Sequence, residues 1–362
     1  MILFHNQIKK CTFAFIPTKT WEGINAILFY MKHFSCLFFL FLLIFQACDQ
    51  SEPSPYPEIT FQKMTAHPEG GRSTAVSFVI DDTAYMALGR LRLFDLAVND
   101  CWAYYPESNS WARKADFPGL PRVNAVAEVV NGKAFAGLGY QPLDNVYINE
   151  AYLRDWWMYD AEKNTWERKA DYPGEQTITP FTSGAVSFVY GNDIYVGAGF
   201  NSYSFSNRFW KYNTLTDAWT QINDFTSTSR AIATALNADG RIFFGTGYHT
   251  YNLNDWWEYL PSDDSWKKRR EMPDGGRVNA LSFAVGKRVF VATGRHFGGT
   301  ETNGKLFPDI MEYDADKDVW YYRGQLETGR ENAIAFVLKG RVYIGMGEND
   351  SMVINDLWSF EP

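Results

Sequence analysis

From about residue 73 onward, apolar residues fall in short runs broken by Gly, Asn, Asp and Pro. Within each run, large side chains alternate with small or polar ones. The first set is TAVSFVI (74–80), TAYMALG (83–89), DCWAYY (100–105) and SWARKA (110–115), with Asp81-Asp82 and Glu107-Ser108-Asn109 as two of the breaks. Period-two alternation, aromatic and β-branched enrichment and turn-forming breaks predict four strands joined by tight turns.

The set is then repeated. An apolar run closing on glycine recurs as AYMALG (84–89), AFAGLG (134–139), IYVGAG (194–199), IFFGTG (242–247), VFVATG (289–294) and VYIGMG (342–347). A third run follows each time, beginning at residues 99, 154, 207, 254, 308 and 355 as NDCWAY, RDWWMY, NRFWKY, NDWWEY, PDIMEY and NDLWSF. The fourth run opens on Trp111, Trp166, Trp219, Trp266 and Trp320, and two copies are nearly identical, WARKADFPG (111–119) and WERKADYPG (166–174). Four strands repeated about every 50 residues predict the blades of a β-propeller.

The sixth copy has no fourth run at its own end. FQKMTAHPEG (61–70) aligns with WARKADFPG, with Phe61 in the tryptophan place. The expected fold is therefore all-β, a six-bladed ring of four antiparallel strands per blade, closed by an N-terminal strand that completes the last blade. First strands carry small residues at alternate places (Ala75/Ser77, Ala125/Ala127, Ala185/Ser187, Ala233/Ala235, Ala280/Ser282, Ala333/Ala335), as crowding at an axis requires. Trp and Tyr in the third and fourth runs fill the widening gaps outside.

An apolar run into glycine followed by spaced Tyr and Trp resembles the kelch-repeat family. The resemblance covers about residues 58–362; it departs from the family pattern where the glycine pair has become G-x-G or a single glycine (Gly89, Gly294). It implies a propeller that binds a protein or glycan. It also implies two enzymatic alternatives, a sugar-acid mutarotase or epimerase at the channel mouth and, behind that, a carbohydrate oxidase of the galactose-oxidase kind.

Residues 1–57 stand outside the repeats. Met31 to Cys48 (MKHFSCLFFLFLLIFQAC) has a basic start and an apolar core of signal-peptide length, too short to span a bilayer. It resembles a bacterial lipoprotein signal in which Cys48 becomes the lipidated first residue. Met31 then reads as the true start, 1–47 as the signal region, 48–57 as a Pro-rich polar linker and 58–362 as the propeller. The expected location is the bacterial cell envelope, with the membrane reached only through the lipid, and the expected state is a monomer.

Residues 1–47 hold four Lys and one Glu, so the remainder has 30 basic and 41 acidic residues, a net charge of −11. That balance, with no basic block, excludes a nucleic-acid binder. Of four cysteines only Cys48 and Cys101 would remain, so export does not serve disulfide formation.

Candidate chemistry lies on the face shared by the inter-blade loops and the loops between second and third strands. Arg72, Arg122, Arg230, Arg277 and Arg330 each precede a first strand, while the third blade has Phe181-Thr182-Ser183 there. Guanidinium groups around a mouth suit an anionic ligand, and each could equally brace its own blade. His249 and His296 occupy matching places in the fourth and fifth blades. Two histidines make at most half a metal site, and Cys101 lies mid-strand, so neither a metal nor a cofactor is expected. Asp314, Asp316 and Asp318 mimic a calcium loop, but Val319 and Gln325 stand at its glycine and glutamate places. Two long loops, 140–153 and 295–307, are expected to flank the mouth.

Overall fold

A computed structural model describes residues 54–91, 97–142, 152–174, 182–201, 204–273, 275–298 and 304–362. The signal region, with Cys48, lies outside the described residues, as do residues 143–151 of the first long loop and 299–303 of the second.

Among the described residues there is no helix, and six four-stranded antiparallel sheets are present. In the first blade they are Val76–Ile80, Thr83–Ala87, Cys101–Tyr105 and Ser110–Arg113. First strands follow in a ring (Val76–Ile80, Val126–Val130, Val186–Tyr190, Thr234–Ala238, Leu281–Val285, Ile334–Leu338), and the sixth contacts the first. Gln62–Lys63 pairs with the last strand, Leu357–Phe360, with Gln62 opposite Ser359 and Lys63 opposite Trp358. The N-terminal strand closes the ring, as expected from its sequence.

The near-identical nonapeptides have a mechanical meaning. Trp166 Nε1 donates to the carbonyl of Ala115 at 3.0 Å, and Trp219 Nε1 to that of Ala170 at 2.8 Å. Each outer tryptophan thus grips the outer strand of the preceding blade. Asn164 and Asp217 add a second grip, accepting the Ala115 and Ala170 N–H groups at 2.9 and 2.8 Å. At the seam Trp111 Nε1 donates to Thr65 O at 3.1 Å and Asn109 Oδ1 accepts from Thr65 N at 2.9 Å. Thr65 holds the place of Ala115, so the closing strand is used like any preceding blade.

His67 extends the equivalence. It holds the Phe117 place and meets Trp102 and Trp111 edge-on at 4.7 and 5.2 Å, as Phe117 meets Trp157 and Trp166 at 5.9 and 5.1 Å. Burial, helped by the Arg72 charge, lowers its pKa to about 4, so this imidazole packs as a neutral ring. Cys101 is also core material, its thiol pushed up to about 12 by burial.

Beside the axis, Thr74, Asn124, Gly184, Ile232, Asn279 and Asn332 all have positive φ, between 49° and 62°. Their peptides link blade to blade: Thr74 N to Asn332 O, Asn332 N to Asn279 O, Asn279 N to Ile232 O and Ile232 N to Gly184 O, at 2.8–3.2 Å. Asn and Gly tolerate this conformation, but Ile232 adopts it against its β-branched preference. The belt fixes the rim on which the mouth residues sit.

Candidate functional site at the propeller mouth

Each inter-blade arginine is fully buried and gripped by one aspartate of its own blade. Arg72 Nη1 and Nη2 donate to the two oxygens of Asp100 at 2.7 and 2.8 Å, and Nη1 also reaches Leu88 O at 2.8 Å. Arg122 repeats this with Asp155, Arg277 with Asp309, Arg330 with Asp356 and Arg230 with Asp255. Trp102, Trp157, Trp257 and Trp358 then donate their indole N–H to the same aspartates at 2.7–2.9 Å. Burial alone would raise the Asp100 carboxyl, but the hydrogen bond and charge of Arg72 bring it below the ordinary carboxylate range. Asp155 behaves likewise beside Arg122.

Of the two readings open to Arg72, Arg122, Arg230, Arg277 and Arg330, this geometry fits the brace: each is closed into a buried ion pair within its own blade, because a bare guanidinium at that depth would be an uncompensated charge. The third blade carries Thr182 for the arginine and Arg208 for the aspartate, so the pair is missing there as a unit.

The mouth is lined by the residue after the last glycine of each copy: Arg90, Tyr140, Phe200, Tyr248, Arg295 and Glu348. Each bridges to the inter-blade loop, at Ser73, Val123, Ser183, Ala231, Val278 and Glu331 respectively. These positions divide the rim in two. Across the first, sixth and fifth blades the rim is charged. Arg90 Nη2 meets Glu348 at 2.5 Å, and Arg295 meets Glu331 at 2.6 Å and Asp350 at 2.8 Å. Asn279 donates to Glu331 at 2.7 Å and Asn332 to Glu348 at 3.0 Å. Glu331, Glu348 and Arg295 are buried, and burial would lower the Arg295 guanidinium, but its carboxylate partners raise it. Glu348 Oε2 and Arg90 Nε have no partner among the described residues.

The other half is aromatic. Phe200 packs on Phe205 at 5.0 Å, Phe205 on Tyr248 at 6.1 Å and on His249 at 4.9 Å, and Tyr248 on Phe297 at 5.6 Å. Tyr140 packs against Tyr152 at 5.3 Å, the rings tilted by 46°. His249 is partly exposed, with Nδ1 3.5 Å from Ser229 Oγ, and His296 Nδ1 lies 2.7 Å from Gly276 O. No group of three or more metal-ligating side chains occurs among the described residues. A charged rim facing an aromatic shelf can hold a ring that is apolar on one face and hydroxylated at its edge.

Sequence reasoning passed over Arg90, Glu331 and Glu348, and saw Arg295 only as part of a long loop. For Arg90, Arg295 and Glu348 the signal is variation: the rim place after the last glycine differs from copy to copy within a repeat that otherwise keeps its pattern.

The Kelch motif profile matches residues 182–226. The N-acetylneuraminate epimerase of Pasteurella multocida (strain Pm70) is 29% identical over 168 residues, 45% of this chain and 38% of that protein. That of Yersinia enterocolitica serotype O:8 / biotype 1B (strain NCTC 13174 / 8081) is 37% identical over 65 residues, 17% of this chain and 16% of that protein. The matches thus span well under half the length of these curated relatives. A solved structure, that of YjhT, superposes with a TM-score of 0.67 over 81% of this chain and 95% of that one at 17% identity, a likeness of fold.

Proposed function

Because the chain is a kelch-repeat β-propeller, we propose that its mouth binds a sugar acid and interconverts its anomers. The observation that carries this reading is the pair of buried glutamates, Glu331 and Glu348, each held against an arginine beside an aromatic shelf. The similarity to proteins named for epimerisation of N-acetylneuraminate supports it.

Anomer exchange needs one group to take the proton of the anomeric hydroxyl and another to protonate the ring oxygen. The ring C–O bond breaks, the carbonyl forms, and the ring closes again on the opposite carbonyl face with the protons returned. Glu331 and Glu348 are the candidate proton carriers, Glu331 entering ionised as the base and Glu348 entering protonated on Oε2, the oxygen without a partner among the described residues, and the two exchange roles as the ring recloses. Arg90 and Arg295 fix their carboxyls, and Tyr248 and Phe205 offer a face to the sugar ring. General acid–base catalysis of this kind contributes about 10²–10⁴-fold.

Anomer exchange of N-acetylneuraminate and of hexuronic acids is followed by NMR. The expected result is acceleration over buffer that Glu348→Gln and Glu331→Gln reduce by about 100-fold or more, measured at a temperature where both variants are still folded, since each change leaves an arginine without its carboxylate and lowers the melt. Saturable binding of an acidic sugar without acceleration would instead favour a glycan-binding module, the second reading. Neither binding nor acceleration would overturn both.

We also propose that the chain is exported and anchored through lipid on Cys48, from the basic, apolar, cysteine-terminated pattern of residues 31–48. Wild-type protein is expected in the membrane fraction with an acylated Cys48, and Cys48→Ser to be released or unprocessed. A soluble mature protein with no acyl group by mass spectrometry would remove this reading.

A further inference from the structure

The third blade breaks the Arg–Asp pattern in a way that leaves positive charge and an indole N–H without an acceptor among the described residues. In four blades an aspartate directly before the third strand accepts the indole N–H two residues on, at 2.7 Å (Asp100–Trp102, Asp155–Trp157), 2.8 Å (Asp255–Trp257) and 2.9 Å (Asp356–Trp358). In the third blade the tryptophan persists as Trp210, but Arg208 stands in the aspartate place. Trp210 Nε1 is buried and, like the indole N–H groups of Trp156, Trp256 and Trp266, has no acceptor among the described residues. An unpaired buried donor costs on the order of 1–3 kcal/mol, so a partner is to be expected. Residues two apart on a strand share a face, so the Arg208 stem leaves on the Trp210 side.

Arg208 is unusual in a second way. The five inter-blade arginines, Arg90, Arg154 and Arg295 all meet carboxylates. Arg208, on the same face and only partly buried, has no ion pair or side-chain hydrogen bond among the described residues. Thr182, in the arginine place, turns its hydroxyl to Ala198 O at 3.4 Å and so supplies no charge. The paired blades are locally neutral at this position, whereas the third carries a cation that no carboxylate among the described residues compensates.

We infer that the third blade binds a carboxylate anion, which takes the place of the missing aspartate between the Arg208 guanidinium and the Trp210 indole N–H. The occupant is a carboxylate because that group is what the other blades put there, planar and able to accept from an arginine and an indole together. The inference stands on the repeat and does not depend on the reaction proposed for the mouth.

The test uses sodium acetate as probe, titrated against sodium chloride at constant ionic strength. The Trp210 indole N–H resonance, assigned with Trp210→Phe, is followed by NMR and the melting temperature in parallel. Wild type is expected to show a saturable shift of that resonance and a saturable rise in melting temperature. Arg208→Gln should weaken apparent affinity at least ten-fold. The double change Thr182→Arg with Arg208→Asp rebuilds the pair of the other blades. It should fold, melt no lower than wild type without acetate and no longer respond to it. This variant keeps the test decisive even if Arg208→Gln folds poorly. A wild-type resonance that does not move, a shift that rises linearly without saturation (an adventitious ion only), or an unchanged response in the rebuilt variant would each overturn the inference.

Discussion

Arg72→Ala lowers stability by about 3–5 kcal/mol, the scale for breaking a buried ion pair from one side. The guanidinium is wholly inaccessible to solvent and serves three acceptors, both oxygens of Asp100 and the Leu88 carbonyl. Its removal leaves the Asp100 charge with only the Trp102 indole, in surroundings that by themselves favour the neutral acid. The paired change Arg72→Met with Asp100→Leu should cost clearly less, since it leaves no charge behind. Urea unfolding of both variants measures this. A loss below about 1 kcal/mol, the scale of an exposed ion pair, would show that Arg72 is not the brace. Ligand affinity at the mouth should follow fold stability and show no separate loss, in contrast to Glu331 and Glu348 variants.

Deleting residues 58–67 is expected to cost several kcal/mol and to make the sixth blade the weakest part of the ring. The deletion takes away Ile59 and Phe61, which pack in the core with Phe360, the only strand that covers Leu357–Phe360 on that side, and both hydrogen bonds made by Thr65. Burial of Ile59 alone is worth about 1.5–3 kcal/mol, and the partly buried Phe61 adds less than that. A thermal melt matching wild type would show that the ring is sealed by other means. The same seam has a pH signature. The folded pKa of His67, about 4, lies below the unfolded value of 6.5, so the unfolded state binds the proton more readily. The contribution of His67 is complete above about pH 6.5 and is lost as pH falls towards 4. His67→Phe, copying the first blade's Phe117, should remove that part of the acid sensitivity.

The architecture was legible because a repeat must satisfy the same packing at every turn. Trp111, Trp166 and Trp219 recur since each grips the preceding blade, and the alignment of FQKMTAHPEG onto that pattern placed the seam before any coordinates did. The site was less legible for the same reason. The five recurrent arginines drew attention by repeating, yet repetition marked them as structure. The decisive clue lay in their partners, because the third blade departs at Thr182 and at Arg208 together. Rim residues such as Arg90 and Glu348 leave no periodic trace, since each serves its own place around the mouth and their contacts join blades far apart in sequence. Glu128 is a similar singularity. It stands where the other first strands carry Phe or Leu, and burial raises its carboxyl to about 7 against the opposing hydrogen bond from Ser187.

The seam between Gln62–Lys63 and Leu357–Phe360 also sets a timetable for synthesis. The closing strand emerges from the ribosome before all six first strands, and its partner emerges after them. Whether the chain is threaded from the ribosome or through an export channel, the early strand stays unpaired until the last strand follows it. Throughout that interval its apolar side is open to any chaperone, or to the late strand of a neighbouring nascent chain. Exchange of this strand between two chains would preserve the pairing of the seam, so a closed ring and a strand-swapped pair draw on the same contacts.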